Sequence, residues 1–303
     1  PMWRIWLAAL FWGLNWPVIK LLLAGAGPWT LRAVGLTGGT LLLAIATLAM
    51  GQSLRIPRKD WPGILGAGLL AVAAFNLLSV FAQISMTASR AAIFTYTMPL
   101  WSVLFARIVL AEPIDRIRAA ALCLGACGIA LLSQPFWHDL RSGAVPPALG
   151  FVLGAAISWA AGTVLLKWAR PEGAPLALTT WQFAVGAIVS CIGLALFETP
   201  HLELHRPYFI ALVFYNIVFP QAVAYALWFT LIARVPASTA ALGTLLVPIT
   251  AVLSSSLWLG ERLAMLDWLG FAAILLAVVL DQGLGRRLRA TSPSGEPCQT
   301  SKT

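Results

Sequence analysis

The chain has 303 residues, of which 60% are hydrophobic and only 10% charged, and its formal net charge is +9. A soluble domain carries roughly a quarter charged residues, and a water-covered protein of this length needs a wetted surface, so the composition excludes a soluble enzyme and points to an outer surface facing lipid. The basic excess then belongs to cytoplasmic loops, where Lys and Arg concentrate in membrane proteins; no basic-patch signature for nucleic acid is present.

Apolar runs near the roughly 20 residues that cross a bilayer recur along the chain. The first helix is expected over 3–24. It holds Trp12, Asn15 and Trp16 in its middle and has no small-residue cleavage site, so it reads as a retained helix and not a signal peptide. Further helices are expected over 28–50, 62–85, 89–110 and 116–133, separated by breaks rich in Gly, Pro and charge. Residues 134–146 form an outer linker. A second set follows over 147–169, 175–197, 207–232, 236–259 and 264–283, and the polar tail 284–303 is expected to be disordered and cytoplasmic.

The two sets are related. Trp12 and Lys20 match Trp159 and Lys167 at an offset of 147, and Ser89, Pro99, Leu110 and Glu112 match Ser238, Pro248, Leu259 and Glu261 at an offset of 149. The chain is therefore expected to be two five-helix halves, 3–133 and 147–283. Five crossings is an odd number, so the second half starts on the side opposite to the first and the repeat is inverted. The charges agree. Arg55, Arg58 and Lys59 in one loop face Arg206 alone in its partner, and Arg107, Arg116 and Arg118 face Arg262 alone. With Lys167, Arg170, Arg4 and Arg286, Arg287 and Arg289, every basic cluster falls on one side if both termini are cytoplasmic. The expected fold is all-α and membrane-integral, with ten transmembrane helices in two inverted repeats around a central cavity. In secondary transporters of such architecture the substrate lies near mid-membrane between the repeats.

The chemistry is defined by what is missing. All acidic residues and His138, His201 and His205 fall in expected loops, the tail or helix ends, which argues against a mid-membrane proton relay. No metal-ligand cluster and no nucleophile with a base is visible, so neither a metal nor another cofactor is expected. Cys123 and Cys127, one turn apart in an apolar run, read as small packing residues. Aromatic and amide side chains occupy the middle instead. Trp12, Asn15, Trp16 and Lys20 share one face of helix 1, Trp159, Thr163 and Lys167 the matching face of helix 6, and Asn76, Ser79 and Gln83 one face of helix 3. Tyr225 is the repeat partner of Asn76, with Trp228 and Ile232 following. Tyr96, Pro99 and Trp101 lie near mid-depth on helix 4, and Pro248 is the partner on helix 9.

Each feature has two readings. Trp3, Trp29, Trp61, Trp137 and Trp268 suit interfacial anchors. Trp12, Trp16, Trp101 and Trp159 are too deep for that and either pack between helices or line a cavity. Asn15 and Asn76 either join helices by hydrogen bonds or meet substrate. Lys20 is expected to snorkel to the outer surface. Pro99 and Pro248 free backbone carbonyls and suggest a shared hinge or cavity wall. Ala121, Gly125, Ala273 and Ala277 suit a close-packed base of helices 5 and 10.

The segments FWGLNWPVIK, MPLWSVLFARIVLAEP and LVPITAVLSSSLWLGER resemble the drug/metabolite transporter superfamily, EamA type, across about residues 5–283, and within it the YddG-type amino-acid exporters. The resemblance implies a bacterial inner-membrane location, cytoplasmic termini, and export of aromatic and other neutral amino acids from a cavity built by helices 1, 3, 4, 6, 8 and 9. A cavity of indole, phenol and amide groups suits neutral or zwitterionic, partly apolar substrates. The competing readings are an exchanger of sugar phosphates, an exporter of other small metabolites or organic cations held by cation–π contact, and a membrane enzyme or scaffold.

Overall fold

The computed structural model describes residues 2–141, 146–227 and 246–290. Its helices are α1 (Met2–Leu22), α2 (Pro28–Ala49), α3 (Arg58–Ser85), α4 (Ala88–Val109), α5 (Arg116–Leu132), α6 (Pro147–Ala169), α7 (Pro175–Phe197), α8 (Pro207–Leu227), α9 (Leu246–Leu259) and α10 (Met265–Ala290). Short helical segments, Gln134–Phe136 and Trp137–Arg141, lie in the linker. Four of the helices, α2, α6, α7 and α8, start on proline, which suits a first turn because its missing N–H has no intrahelical partner there.

Six helices (α2, α3, α4, α6, α7 and α8) are long and apolar enough to cross a membrane, and apolar runs over Trp6–Leu22, Ala119–Leu132, Leu246–Leu259 and Met265–Leu280 are shorter. The surface is inverted relative to a soluble protein. Ile108, Leu196, Phe197 and Leu257 are more than two-thirds exposed, whereas Gln83, Asn216 and Thr47 are enclosed. Apolar groups outside and polar groups inside is the arrangement hydrocarbon demands.

The structure refines the expected boundaries. Helix α10 continues to Ala290, beyond the expected end at 283, through a stretch without proline. Helix α4 is two pieces, Ala88–Thr95 and Met98–Val109, with a turn at Tyr96 and Thr97; Pro99 opens the second piece. Trp228, Ile232, Ser238 and the tail from 291 onward lie outside the described residues.

Repetition is visible in the backbone. A π-helical stretch spans Gly68–Ala74 in α3 and another spans Ile217–Val223 in α8, offset by 149 residues. Ala111 and Gly260, also 149 apart, both have positive φ, of 54° and 66°. Packing follows the same relation: α2 lies along α7 and α5 along α10, while α1 on α9 mirrors α6 on α4, and α3 on α6 and α7 mirrors α8 on α1 and α2. The α5–α10 crossing is a backbone contact, since a Cβ on Gly128 would come within 2.9 Å of the Gly270 carbonyl and one on Gly270 within 3.0 Å of the Gly128 carbonyl.

Equivalent loops sit at opposite ends. At one end Glu203 N donates to Gly25 O at 3.1 Å and Ala26 bridges Leu202. At the other, Lys59 pairs with Glu172 at 2.5 Å and Trp181 Nε1 donates to Leu54 O at 2.8 Å. The loop after α2 and the loop after α7 thus lie apart, as an inverted repeat requires.

Candidate functional site

The interior polar and aromatic side chains converge where α1 meets α4, α8 and α9, with Phe183 of α7 alongside. The Trp12 indole donates to Pro220 O at 3.0 Å. That residue stands in the π-helical stretch of α8, where the wider turn leaves a carbonyl available. Trp12 meets Tyr225 edge-on at 5.3 Å, and Tyr225 meets Phe183 of α7 at 4.8 Å. Tyr96, 8% exposed, packs with Ala9 and Val247 against Trp12 and Met98. One turn along α1, Asn15 Oδ1 accepts from Asn216 Nδ2 at 2.8 Å, and Tyr215 donates to Phe11 O at 3.0 Å. Trp12, Asn15, Tyr96 and Tyr225 are thus brought into one region.

The other expected residues lie around it. Trp101 Nε1 donates to Thr97 Oγ1 at 3.1 Å across the break in α4. Trp159 stacks edge-on against Phe75 of α3 at 4.7 Å, and Thr163 is exposed, its hydroxyl donating to Trp159 O. Asn76 donates to Val72 O at 2.9 Å and Ser79 to Asn76 O at 3.0 Å, both buried on α3. Trp16 sits in a separate core of Ala82, Met86, Ala91 and Ile93. Pro248 is buried near the start of α9.

Lys20, expected to snorkel to the outer surface, turns its ammonium to the end of α3. Its ammonium donates to the Gln83 carbonyl and, at 3.1 Å, to Met86 O. It finishes the C-terminal end of α3, where free carbonyls and the helix dipole attract a cation. Trp29, expected as an anchor, is wedged between Phe81 and Phe197, whereas Trp3 and Trp268 are exposed.

The acids with described side chains gather at the two ends. Glu261 accepts from Ala88 N at 2.7 Å, Ser89 N at 2.9 Å and Ser89 Oγ at 2.6 Å, capping α4 beside Lys20. Its repeat partner Glu112 pairs with Lys167, the partner of Lys20, at 2.6 Å. Each glutamate therefore reaches into the other repeat, one at each end. Among the described residues no group of three His, Cys, Asp or Glu side chains could hold a metal ion. A groove of about 570 Å³ lined by Trp61, Trp181 and Leu54 opens at the Lys167 end and contains none of the expected site residues.

Reading the sequence missed Arg32, Asn216 and Gln221. Arg32 is 2% exposed within α2 and donates to Ser79 Oγ at 3.2 Å. The available signal was a basic residue inside an apolar run.

Comparison with known proteins supplies the lineage. The EamA-like transporter family matches this chain twice, over residues 2–134 and 146–280. The uncharacterized transporter YvbV of Bacillus subtilis is 27% identical over 274 residues, covering 89% of this chain and 88% of that protein. A probable terminal-alkyne amino-acid exporter of Streptantibioticus cattleyicolor is 25% identical over 304 residues, with 96% and 97% covered. A probable amino-acid metabolite efflux pump of Escherichia coli is 25% identical over 286 residues, with 91% and 92% covered. A solved crystal structure superposes with a TM-score of 0.65 at 21% identity, covering 94% of this chain and 97% of that one, and so shares the fold.

Proposed function

This chain belongs to the EamA-like transporter family, and from that premise we propose that it exports small neutral and aromatic amino acids across a bacterial inner membrane by alternating access. In this reading the chain crosses ten times, with both termini cytoplasmic, and the domains are the two repeats 3–133 and 147–283. The observation that carries it is the meeting of Trp12, Tyr96 and Tyr225 beside the Asn15–Asn216 amide pair. Indole and phenol faces give contact area without demanding one side-chain shape, and amides hydrogen-bond a zwitterion without fixing net charge. Two relatives with amino-acid export in their names support the substrate class.

The ends support the mechanism. Glu261 with Ser89 and Lys20 at one end, and Glu112 with Lys167 at the other, are repeat-related contacts between the halves. Rocking α1, α3 and α4 against α6, α8 and α9 breaks one set while keeping the other. With acids at the ends and none in the aromatic group, transport follows the substrate gradient without proton coupling.

The test is counterflow in proteoliposomes loaded with unlabelled phenylalanine, methionine, threonine or lysine. Labelled phenylalanine and methionine should enter, and Trp12→Ala should lower entry about tenfold by removing aromatic contact worth on the order of 1 kcal/mol and one buried hydrogen bond. Exchange of organic cations or sugar phosphates with no exchange of amino acids would overturn the substrate class.

A further inference from the structure

A guanidinium inside an apolar helix is stable only when an anion or a full set of acceptors meets it. Arg32 has neither. It is 2% exposed, its Nη2 reaches Ser79 Oγ at 3.2 Å, and its Nε has no hydrogen-bond partner among the described residues. Among the described residues no carboxylate forms an ion pair with it. Glu198, one turn toward the helix end, is committed to Trp29 N at 3.0 Å, Thr30 N at 2.9 Å and Thr30 Oγ1 at 2.5 Å.

One turn beyond Ser79 on the same face of α3, Gln83 is 0% exposed, and among the described residues neither its Oε1 nor its Nε2 has a partner. Ser79 spends its own proton on Asn76 O. Along α3, next to the Arg32–Ser79 contact, the guanidinium Nε and, one turn on, the Gln83 amide are therefore buried polar groups without a hydrogen-bond partner among the described residues. A planar group with two acceptor oxygens and a negative charge satisfies that set, and a carboxylate is such a group.

The Arg32–Ser79 contact also leads to the aromatic region. One turn along α2, a Cβ on Gly35 would lie 2.8 Å from Asn216 Oδ1 and 3.0 Å from Gln221 Nε2, and Asn216 is the partner of Asn15. The repeat partner of Arg32 is Thr179, whose hydroxyl is spent on Pro175 O, so the cationic site exists in one repeat and suits one carboxylate.

We propose that Arg32, Ser79 and Gln83 bind the α-carboxylate of the transported amino acid while its side chain lies against the aromatic group. This deepens, and rests on, the amino-acid reading above. The test is competition in phenylalanine counterflow between unlabelled phenylalanine and phenylalaninamide, which lacks the carboxylate. The wild type should take phenylalanine at least tenfold better, the scale of hydrogen bonds to a charged group. Arg32→Gln should erase that preference, Arg32→Lys should retain part of it, and Gln83→Leu should weaken it. Gln83→Leu removes a buried unpartnered amide, so it is expected to fold at least as well as the wild type, and it carries the test if Arg32→Gln does not fold. Equal competition by acid and amide in the wild type, or a preference unchanged in the variants, overturns the carboxylate site while amino-acid exchange stands. Absence of amino-acid exchange in the wild type overturns both.

Discussion

Asp267, in the first turn of α10, is 2% exposed and takes Arg90 Nε at 3.1 Å, Arg90 Nη2 at 2.9 Å and Ala264 N at 2.9 Å. Removing one partner of an enclosed ion pair strands the other, so Asp267→Asn should lower unfolding stability by about 3 kcal/mol; chemical denaturation in detergent measures it. A double variant, Arg90→Met with Asp267→Leu, should recover much of that loss, because the desolvation cost of both charges disappears. Ala111 carries a backbone with φ of 54°, the position its repeat partner fills with Gly260. A Cβ is crowded there, so Ala111→Gly should raise stability by up to about 1 kcal/mol, and an unchanged midpoint in the same denaturation series would count against the strain. The sequence placed Asp267 at a helix end, but only tertiary contact encloses it.

At the level of helices, α5 and α10 meet at Gly128 and Gly270, flanked by Ile274 and Leu132. Gly128→Ala directs a Cβ at the Gly270 carbonyl and should cost about 1–3 kcal/mol by overpacking, read as a lower melting midpoint with unchanged substrate preference. The small residues of these helices were legible as a packing base, though the sequence reading named Gly125 and not Gly128; which small residue lies at the crossing depends on helix rotation. The glutamates at the two ends invite a paired comparison. Glu261 accepts three hydrogen bonds at a helix start, whereas the Glu112–Lys167 pair is two-thirds exposed on the lysine side and is worth at most about 1 kcal/mol. Glu261→Gln should therefore shift the conformational balance more than Glu112→Gln, and in the opposite sense. Spin-label distances between Ser85 and Arg262, at the Lys20 end, would lengthen in Glu261→Gln; equal distances in both variants would refute the gating role.

For the whole molecule, the proposed inverted arrangement makes a topological prediction. A cysteine at Gly173 should react from the cytoplasmic side and one at Thr199 from the opposite side, because the loops after α6 and α7 lie at opposite ends and basic residues cluster with the former. Labelling both from one side would break the proposed orientation. Uptake should also be indifferent to an imposed pH gradient, and strong acceleration by one would overturn the uncoupled mechanism.

The membrane class, the internal repeat and the transporter family were set by sequence alone, because lipid enforces long apolar runs and the same residues recur at a fixed offset in both halves. The inward stripe of Trp12 and Asn15 followed from a period of 3.6. Tertiary structure decided the rest. Arg32 is one basic residue in an apolar run until α3 brings Ser79 against it, and Lys20 is a snorkelling cation until the end of α3 offers it carbonyls. Trp16, on the same stripe as Trp12, is drawn into a separate core. Periodicity specifies which face of a helix a residue occupies; which neighbour that face meets depends on crossings between segments far apart in the chain, and those are fixed only when the repeats pack together.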